Sequence, residues 1–587
     1  MPGEGLLRSV ADQTEGSEFY TPMPEGYQPG RTKYIVVFGT VMSGLGKGIF
    51  ASSLAKLLQD KGLRVAPIKL EGYLNVDSGT LNPYRHGEVF VLDDGMECDM
   101  DLGTYERMLD QDLTRDNFAT NGQIFGAVLE RERRGEYLGR DVQIIPHVTG
   151  EVKAKLRRLA VRSRADVVFV EIGGTVGDFE NAYYIEAMRQ LAYEEGKGNV
   201  CFVALTFILE PKILGEQKSK AAQLGIKRLL EAGIQPHIIA CRAANPVTDK
   251  VREKLAVYTS VPMARVFSMH DEPSIYLLPS RMRREQIDRQ VTHLLDLVDR
   301  VDPRAEQRAT VEWEAFCERI RRPRHEVTVA ITGKYTAVRD SYASLLKAIE
   351  HAAAALEARA HIRWVDTTHL TDATAAEALQ GADAVIVPGG FGVRGAEGKI
   401  ACVRYAREHF VPYLGLCFGF QMAVVEFARN VCGLQGANST ELVADPPHPV
   451  ICLLPEQYEI EGLGGTMRLG GRDVELVPGT LASRMFGGAQ RVRLRFRHRY
   501  EVNPDYIERL TAGGMVFSGK APGQPIMQVL ELPDHPFFVA TQAHPEFTSR
   551  PLRPSPFFLG LVAAALGRRA VGPLKEAELP WTNSASA

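Results

Sequence analysis

Apolar residues in this chain come in short, nearly continuous, β-branched runs, many of them separated by segments of helical periodicity, and that rhythm leaves few folds open. The runs are YIVVF (34–38), RVAPIK (64–69), VQII (142–145), DVVFVEI (166–172), VCFVALTFIL (200–209), PHIIAC (236–241) and ARVFS (264–268). A strand with one wet face alternates in polarity, whereas a run that is apolar at nearly every position must be covered on both faces, so these strands predict a parallel sheet between helical layers. A second series, VTVAIT (327–332), HIRWV (361–365), AVIVP (384–388) and VPYLGL (411–416), leads into strand-like pieces up to about 541 and a closing helix. Between the series the chain is charged and strand-poor around one amphipathic helix at Trp313 and Phe316, which suits a connector. The expected organisation is a flexible leader (1–31), an α/β domain (32–297), a linker (298–325), a second α/β domain (326–572) and a flexible tail (573–587).

Composition narrows the function. At 45% hydrophobic and 24% charged residues, the 587-residue chain can bury large cores, which excludes wholesale disorder. Its 69 basic and 72 acidic side chains sum to −3, so no global positive field exists to hold nucleic acid or an anionic membrane. Small charged ligands stay open, because local clusters bind them regardless of the total. The 8 cysteines form no CxxC pair, which points away from a zinc ribbon or disulfide scaffold and towards a reducing cytoplasm. The longest apolar stretch, FFLGLVAAALG at 557–567, falls short of the about 18 residues of a membrane span.

The second half carries a candidate nucleophile. In PYLGLCFGFQMAVVEFAR a strand ends at Cys417, with Gly415 and Gly419 around it and a helix-like run behind. This G-x-C-x-G pattern is the thiol form of a nucleophile elbow, and the helix start beneath it favours a thiolate. Downstream, His544 stands two residues before Glu546, a base with a carboxylate to orient it. Upstream, VPGGFGVRG (387–395) is a loop suited to aiming backbone N–H groups at an oxyanion. Each piece alone has an ordinary explanation, as a core cysteine, a structural histidine or a common turn; their combination and order do not. Together they resemble the triad-type glutamine amidotransferase family. The resemblance implies that Cys417 attacks the glutamine carboxamide, His544 moves protons, Glu546 orients the imidazole, and Gly390 with the Phe418 amide stabilises the oxyanion.

In the first half, FGTVMSGLGKGIFASSLAKLL runs from a strand through glycines into a helix near Lys47, an anion cradle suited to polyphosphate. It departs from the ordinary phosphate-loop motif: Val41 stands where the first Gly would fall, and Gly48 replaces the metal-binding Ser/Thr. Carboxylates must then hold any metal, and the candidates are Asp101, on one face with Glu97 and Asp99 if GMECDMDLG is extended, and Glu171 at the end of a buried strand.

KGIFASSLAKLL, NVDSGTLNPYRHGEVFV, DLGTYER, ERRGEYLG, VQIIPHVT, VEIGGTVGD, GANSTE and HRYEVNP extend the likeness to the CTP synthase family over about residues 33–570. That resemblance implies a P-loop-type parallel-sheet synthetase domain followed by a glutamine amidotransferase domain. ATP would phosphorylate the uracil O4 of UTP, and ammonia from glutamine would displace the phosphate to give CTP. By motif, Gly44, Leu45, Gly46, Lys47, Gly48, Lys69, His270, Asp271 and Glu272 would contact ATP. Ser43, Lys218, Ser219, Lys220, Ala221, Ala222, Gln223 and Lys254 would contact UTP, and Asp178, Phe179 and Glu180 the inhibitory product CTP. Gly390, Phe418, Gly419, Phe420, Gln421, Glu441 and Arg499 would hold glutamine, and Asp101 with Glu171 would hold Mg²⁺. The family further implies a homotetramer and GTP as an activator, with neither nucleic acid nor membrane as partner.

The likeness is uneven. The family's KTKPTQ is KSKAAQ here, GDIES is GDFEN, KDV is His270–Glu272, and Glu71 and Gly72 stand in a K-[IL]-D-P-Y segment. A lost hydroxyl contact to a charged group is worth about 1.5–3 kcal/mol, so these changes read either as family drift in a tolerant pocket or as a paralogue with another pyrimidine acceptor or weaker CTP feedback. The alternative from another class is a scaffold or filament former with a dead synthetase site, against which the intact Lys47, Asp101 and Glu171 speak. Five arginines on alternate residues of RVRLRFRHRY (491–500) are expected in ion pairs, with Arg499 as a carboxylate clamp.

Overall fold

The structure, a computed structural model, describes residues 20–137, 139–211, 213, 215–334, 339–453 and 467–569. The expected tail at 573–587 and residues 1–19 of the expected leader lie outside the described residues. The remainder of that leader is packed against the first domain. The Tyr20 ring meets Tyr137 and His147 at 5.4 and 5.2 Å, the Tyr27 hydroxyl bonds to that of Tyr34 at 2.8 Å, and the Gly30 N–H donates to Glu195 at 3.0 Å. The chain divides into two compact units, residues 1–80 with 104–314 and residues 81–103 with 315–587.

The first unit is built on strands β1 (Lys33–Gly39), β2 (Val65–Glu71), β3 (Phe118–Thr120), β4 (Val167–Ile172), β5 (Val200–Phe207), β6 (Ile238–Ala243) and β7 (Val266–His270), in the order β3-β2-β4-β1-β5-β6-β7. Every pairing is parallel, and all six residues of β4 are buried, as the continuous apolar runs required. The connections change direction at β1, so the crevice beyond its carboxyl end is the natural ligand position. Helix α1 (Lys47–Asp60) starts there, and α2 (Lys220–Glu231) packs through the fully buried Ala222, Ile226 and Leu229. VQII is not a strand: Ile144–Val148 forms a helical turn, because Pro146 removes the donor a ladder needs and the burial comes from His147 rather than the half-exposed isoleucines. The edge strand β3 was missed because only three residues pair.

The expected linker contains α3 (Pro303–Arg321). Trp313 on it is 2% exposed, donates from Nε1 to the Tyr276 carbonyl at 3.1 Å and lies beneath the Lys56 ammonium at 4.3 Å.

The second unit holds β8 (His325–Gly333), β9 (Ala358–Asp366), β10 (Ala384–Val387), β11 (Tyr413–Leu416), β12 (Arg468–Leu476), β13 (Arg491–His498), β14 (Val516–Lys520), β15 (Met527–Glu531) and β16 (Phe538–Thr541), in the order β9-β8-β10-β11-β16-β15-β14-β12-β13. The first five are parallel and the rest antiparallel. Helices α4 (Ala396–Glu408) and α5 (Phe418–Asn430) cover one face, and the helix Pro556–Arg569 contributes to the core on the other. A hairpin, Val89–Val91 with Glu97–Asp99, belongs to this unit. The arginines of β13 face it: Arg493 pairs with Asp93 at 2.8 Å, the buried Arg495 donates to the Val91 carbonyl at 3.2 Å, and Arg497 reaches Glu97 at 2.7 Å. Among the described residues, no helix is long and apolar enough to cross a membrane.

Because Trp313 fills a closed site and satisfies a buried carbonyl, Trp313→Ala should cost about 3–5 kcal/mol. Denaturant unfolding followed by circular dichroism checks this, and a loss below about 1 kcal/mol would place the indole outside the stabilising core.

Candidate functional site

In the second unit, Cys417 sits between β11 and α5 with φ 50° and ψ −101°, a conformation that a residue with a side chain adopts only when its surroundings impose it. The two flanking glycines explain how. A Cβ on Gly419 would lie 1.9 Å from the Val387 carbonyl oxygen, and one on Gly415 would lie 2.6 Å from the Tyr413 hydroxyl. The Cys417 N–H donates to the Thr541 carbonyl at 2.8 Å, so the turn is tied to β16. The thiol then faces the Arg497 carbonyl at 3.6 Å and the Gln542 amide at 3.5 Å.

His544 follows β16 directly. Its Nδ1 donates to Glu546 Oε1 at 2.7 Å, its ring stacks on Phe547 at 5.0 Å, and the side chain is buried. A Cβ at Gly389 would lie 2.9 Å from His544 Cε1 and 3.7 Å from Cys417 Cβ, so the glycine-rich loop borders both groups. Burial disfavours the imidazolium, but the Glu546 carboxylate and the Cys417 sulfur outweigh it and raise the His544 pKa from 6.5 to about 10. Cys417, His544 and Glu546, the residues expected as nucleophile, base and orienting carboxylate, are thus brought together.

The other residues expected at this site divide by exposure. Glu441 accepts from the Gly392 N–H at 2.7 Å. Burial raises its pKa, against that bond and the nearby Lys334 and Arg499 charges. Gln421 donates to the Tyr500 carbonyl at 3.0 Å and to Gln542 at 3.3 Å. Phe420 is fully buried in the core, and Phe418 is nearly so; what these positions present is backbone. Gln542 was not anticipated, although its place two residues before His544 in TQAHPE was a signal.

In the first unit the expected residues gather at the carboxyl ends of the strands. Gly44 and Gly46 have φ of 73° and 78°, Gly46 caps α1, and Val41 is also left-handed at 72°, so the turn forms without the first glycine of the ordinary motif. Lys47 reaches from α1 to the Gly174 carbonyl at 2.9 Å. Lys69 and Glu171 are cross-strand partners on β2 and β4, 2.7 Å apart, and the Tyr105 hydroxyl donates to the second Glu171 oxygen at 3.0 Å. Tyr105 was likewise not anticipated. His270 ends β7, Asp271 pairs with Arg242 at 2.5 Å, and Glu272 pairs with Arg281.

Asp178 accepts from the Thr175 N–H at 2.7 Å, while Phe179 is 93% exposed. Glu180, Ser43, Lys220 and Lys254 are exposed. Ser219 Oγ accepts from Gln223 at 3.1 Å, and Lys218 pairs with Glu216. The side chains of Leu45 and Ala222 are buried, so what these two positions present is backbone. The extended reading of 97–101 also fails beyond Asp99. Asp101 lies in the first turn of the helix Met100–Leu109, with its N–H on Asp99 at 2.9 Å, and belongs to the second unit, whereas Glu171 belongs to the first. Among the described residues no group of three or more His, Cys, Asp or Glu side chains is arranged to hold a metal.

The raised His544 pKa has a consequence for stability. Folding favours the protonated ring, so the pair with Glu546 stabilises fully below about pH 6.5, and the contribution is lost as pH rises through about 10. The stability gap between the parent and Glu546→Gln, from urea midpoints at stepped pH, should be widest below pH 6.5 and narrow towards 10. A gap independent of pH would mean that Glu546 does not hold the ring charged.

Both halves of the chain are similar to known proteins. Residues 33–297 match the family model for the CTP synthase N-terminus, and residues 337–564 match that for class-I glutamine amidotransferases. A CTP synthase of Thermococcus gammatolerans is 49% identical over 539 residues, covering 92% of this chain and 99% of the relative. One of Thermus thermophilus is 47% identical over 543 residues, covering 92% and 98%. Among solved structures, the glutaminase domain of a Trypanosoma brucei CTPS with bound acivicin is 37% identical and covers 41% of this chain and 94% of that one, with a TM-score of 0.39. With both halves matched in order and the curated relatives aligned over nearly their whole length, the chain belongs to the CTP synthase family.

Proposed function

We propose that the residues assembled above carry out the reaction of this family, the ATP-dependent amination of UTP at C4 to give CTP with nitrogen from glutamine. The observation that carries the reading is the strained Cys417 turn beside a His544 ring fixed by Glu546 at 2.7 Å. The Cys417 sulfur attacks the glutamine carboxamide carbon. The oxyanion is met by the N–H groups of Gly390 and Phe418, His544 protonates the departing nitrogen, and ammonia leaves a thioester. Water activated by the same imidazole then hydrolyses the thioester to glutamate. Glu441 and Arg499 hold the ends of the glutamine substrate.

At the nucleotide site, the glycine loop 43–48 with Lys47 and Lys69 cradles phosphates. The uracil O4 attacks the ATP γ-phosphorus and ADP departs; ammonia adds at C4, and phosphate leaves as a proton is lost. His270, Asp271 and Glu272 flank ATP, Lys218–Gln223 and Lys254 flank UTP, and Asp178–Glu180 take CTP. Asp101 and Glu171 would hold Mg²⁺, for which hard carboxylate oxygens are suitable donors; when bound, the ion would neutralise phosphate charge. We assign residues 32–297 to the synthetase and 326–572 to the glutaminase, joined by 298–325, and propose a homotetramer activated by GTP. A cytoplasmic location is supported by the eight cysteines, all free thiols.

Chromatography of nucleotides after incubation with UTP, ATP, Mg²⁺ and either glutamine or ammonia tests the assignment. Cys417→Ala should lower glutamine-supported CTP formation by at least about 1,000-fold while ammonia still supports it, and Lys47→Ala should abolish both. Parental glutamine-supported rates in Cys417→Ala would refute the glutaminase assignment.

A further inference from the structure

A lysine that plays no part in the steps above lies behind the glycine-rich loop. Lys399, near the start of α4, is 3% exposed, and its Nζ donates to the Pro388 carbonyl at 2.7 Å and to the Gly389 carbonyl at 3.4 Å. The ammonium also stands 5.2 Å from the centre of the Phe418 ring, on the residue after the nucleophile. A buried ammonium is costly to desolvate, and a methionine would fill similar space without that cost. The reason for a lysine here must therefore lie in the bonds its ammonium makes.

Both bonds act on the loop that lines the triad. The Pro388–Gly389 and Gly389–Gly390 peptides are trans, so in each the C=O and N–H point in opposite directions. An ammonium that grips the carbonyls of Pro388 and Gly389 turns the N–H groups of Gly389 and Gly390 to the other side of the loop. The same loop touches the reacting groups, since a Cβ on Gly389 would lie 2.9 Å from His544 Cε1 and 3.7 Å from Cys417 Cβ. We propose that Lys399 is a positioning residue for the oxyanion hole: it holds the 388–390 peptides so that the Gly390 N–H meets the charge developing on the glutamine carbonyl. Burial and the Lys334 charge lower the Lys399 pKa to about 7, while the Cys417 and Cys402 sulfurs oppose this; the two carbonyls favour the charged form in the same direction as the sulfurs.

The inference rests on the glutaminase reading and is tested on the full chain with Lys399→Met and Lys399→Gln. Three quantities are measured: steady-state glutamine hydrolysis, ammonia-supported CTP formation, and the rate at which iodoacetamide alkylates Cys417, followed on its peptide by mass spectrometry. Lys399→Met should lower kcat for hydrolysis by roughly 10- to 100-fold, less than outright loss of an oxyanion donor. KM should stay within about threefold, and Cys417 alkylation and ammonia-supported synthesis should be unchanged. Lys399→Gln, with a shorter neutral donor, should fall between Met and the parent, and it carries the test alone if the Met variant does not fold. A parental kcat would overturn the proposal. So would a raised KM at constant kcat, or alkylation slowed in step with kcat, which would place the effect on the thiol. Loss of ammonia-supported synthesis in parallel would reduce the role to folding. Cys417→Ala, assayed alongside, separates failure of this inference from failure of the glutaminase reading, which only parental hydrolysis in that variant would bring down.

Discussion

The second unit depends on the backbone of Cys417 being held where a side-chain-bearing residue does not settle by itself, at φ 50° and ψ −101°. Such strain persists only when the surroundings determine it from several sides. Here they do. Val387 on β10 crowds Gly419, Tyr413 on β11 and Ala540 on β16 crowd Gly415, and Thr541 accepts the cysteine N–H. These strands are neighbours in the sheet although residues 387 and 541 are far apart in sequence. Their adjacency also fixes what surrounds the sulfur, because the loop after β10 carries Gly389 and Gly390 and the loop after β16 carries Gln542 and His544. One steric constraint therefore aims the Cys417 sulfur and sets which groups surround it.

The first unit applies the same rule with charge in place of strain. Lys69 and Glu171 are registered across β2 and β4 and are buried, with Tyr105 on the second carboxylate oxygen. Removing one partner of such a pair would leave a buried charge uncompensated, a loss of about 3–5 kcal/mol, so the pair is locally self-enforcing. It stands beside the loop in which Lys47 spans from α1 to Gly174. In both units the polar groups collect beyond the carboxyl ends of parallel strands, where the sheet's apolar layers end and the next helices begin.

How much of this could be read in the chain follows from the range of each signal. The parallel sheets were visible because burial on both faces demands apolar runs, and the elbow because G-x-C-x-G is local. The helical turn at 144–148 read as a strand because two isoleucines imitate one, whereas the burial there is carried by His147. Gln542 and Tyr105 escaped notice because each bonds to a residue distant in sequence, Gln542 to Cys417 and Tyr105 to Glu171, whereas Lys399 did so although the carbonyls it meets, at Pro388 and Gly389, lie only 11 and 10 positions before it. A buried lysine on a helix reads as a surface charge until the loop it grips is known. The grouping of residues 81–103 with the second unit was hidden for the same reason, since the arginine strand that binds the hairpin comes about 400 positions later.

The departures in KSKAAQ do not carry equal weight once each side chain is placed. Ala222 is fully buried beside Ile226 and Leu229, so a threonine there would bring a hydroxyl into an apolar layer. Burying a hydroxyl without a partner costs about 1–3 kcal/mol, which makes alanine the better fit to this helix face. Ser219 is buried, and its hydroxyl accepts from the Gln223 side-chain amide at 3.1 Å. The two cations of the segment, Lys218 and Lys220, match the family pattern. The substitutions at 219 and 222 thus fall on buried positions and leave Lys218 and Lys220 in place.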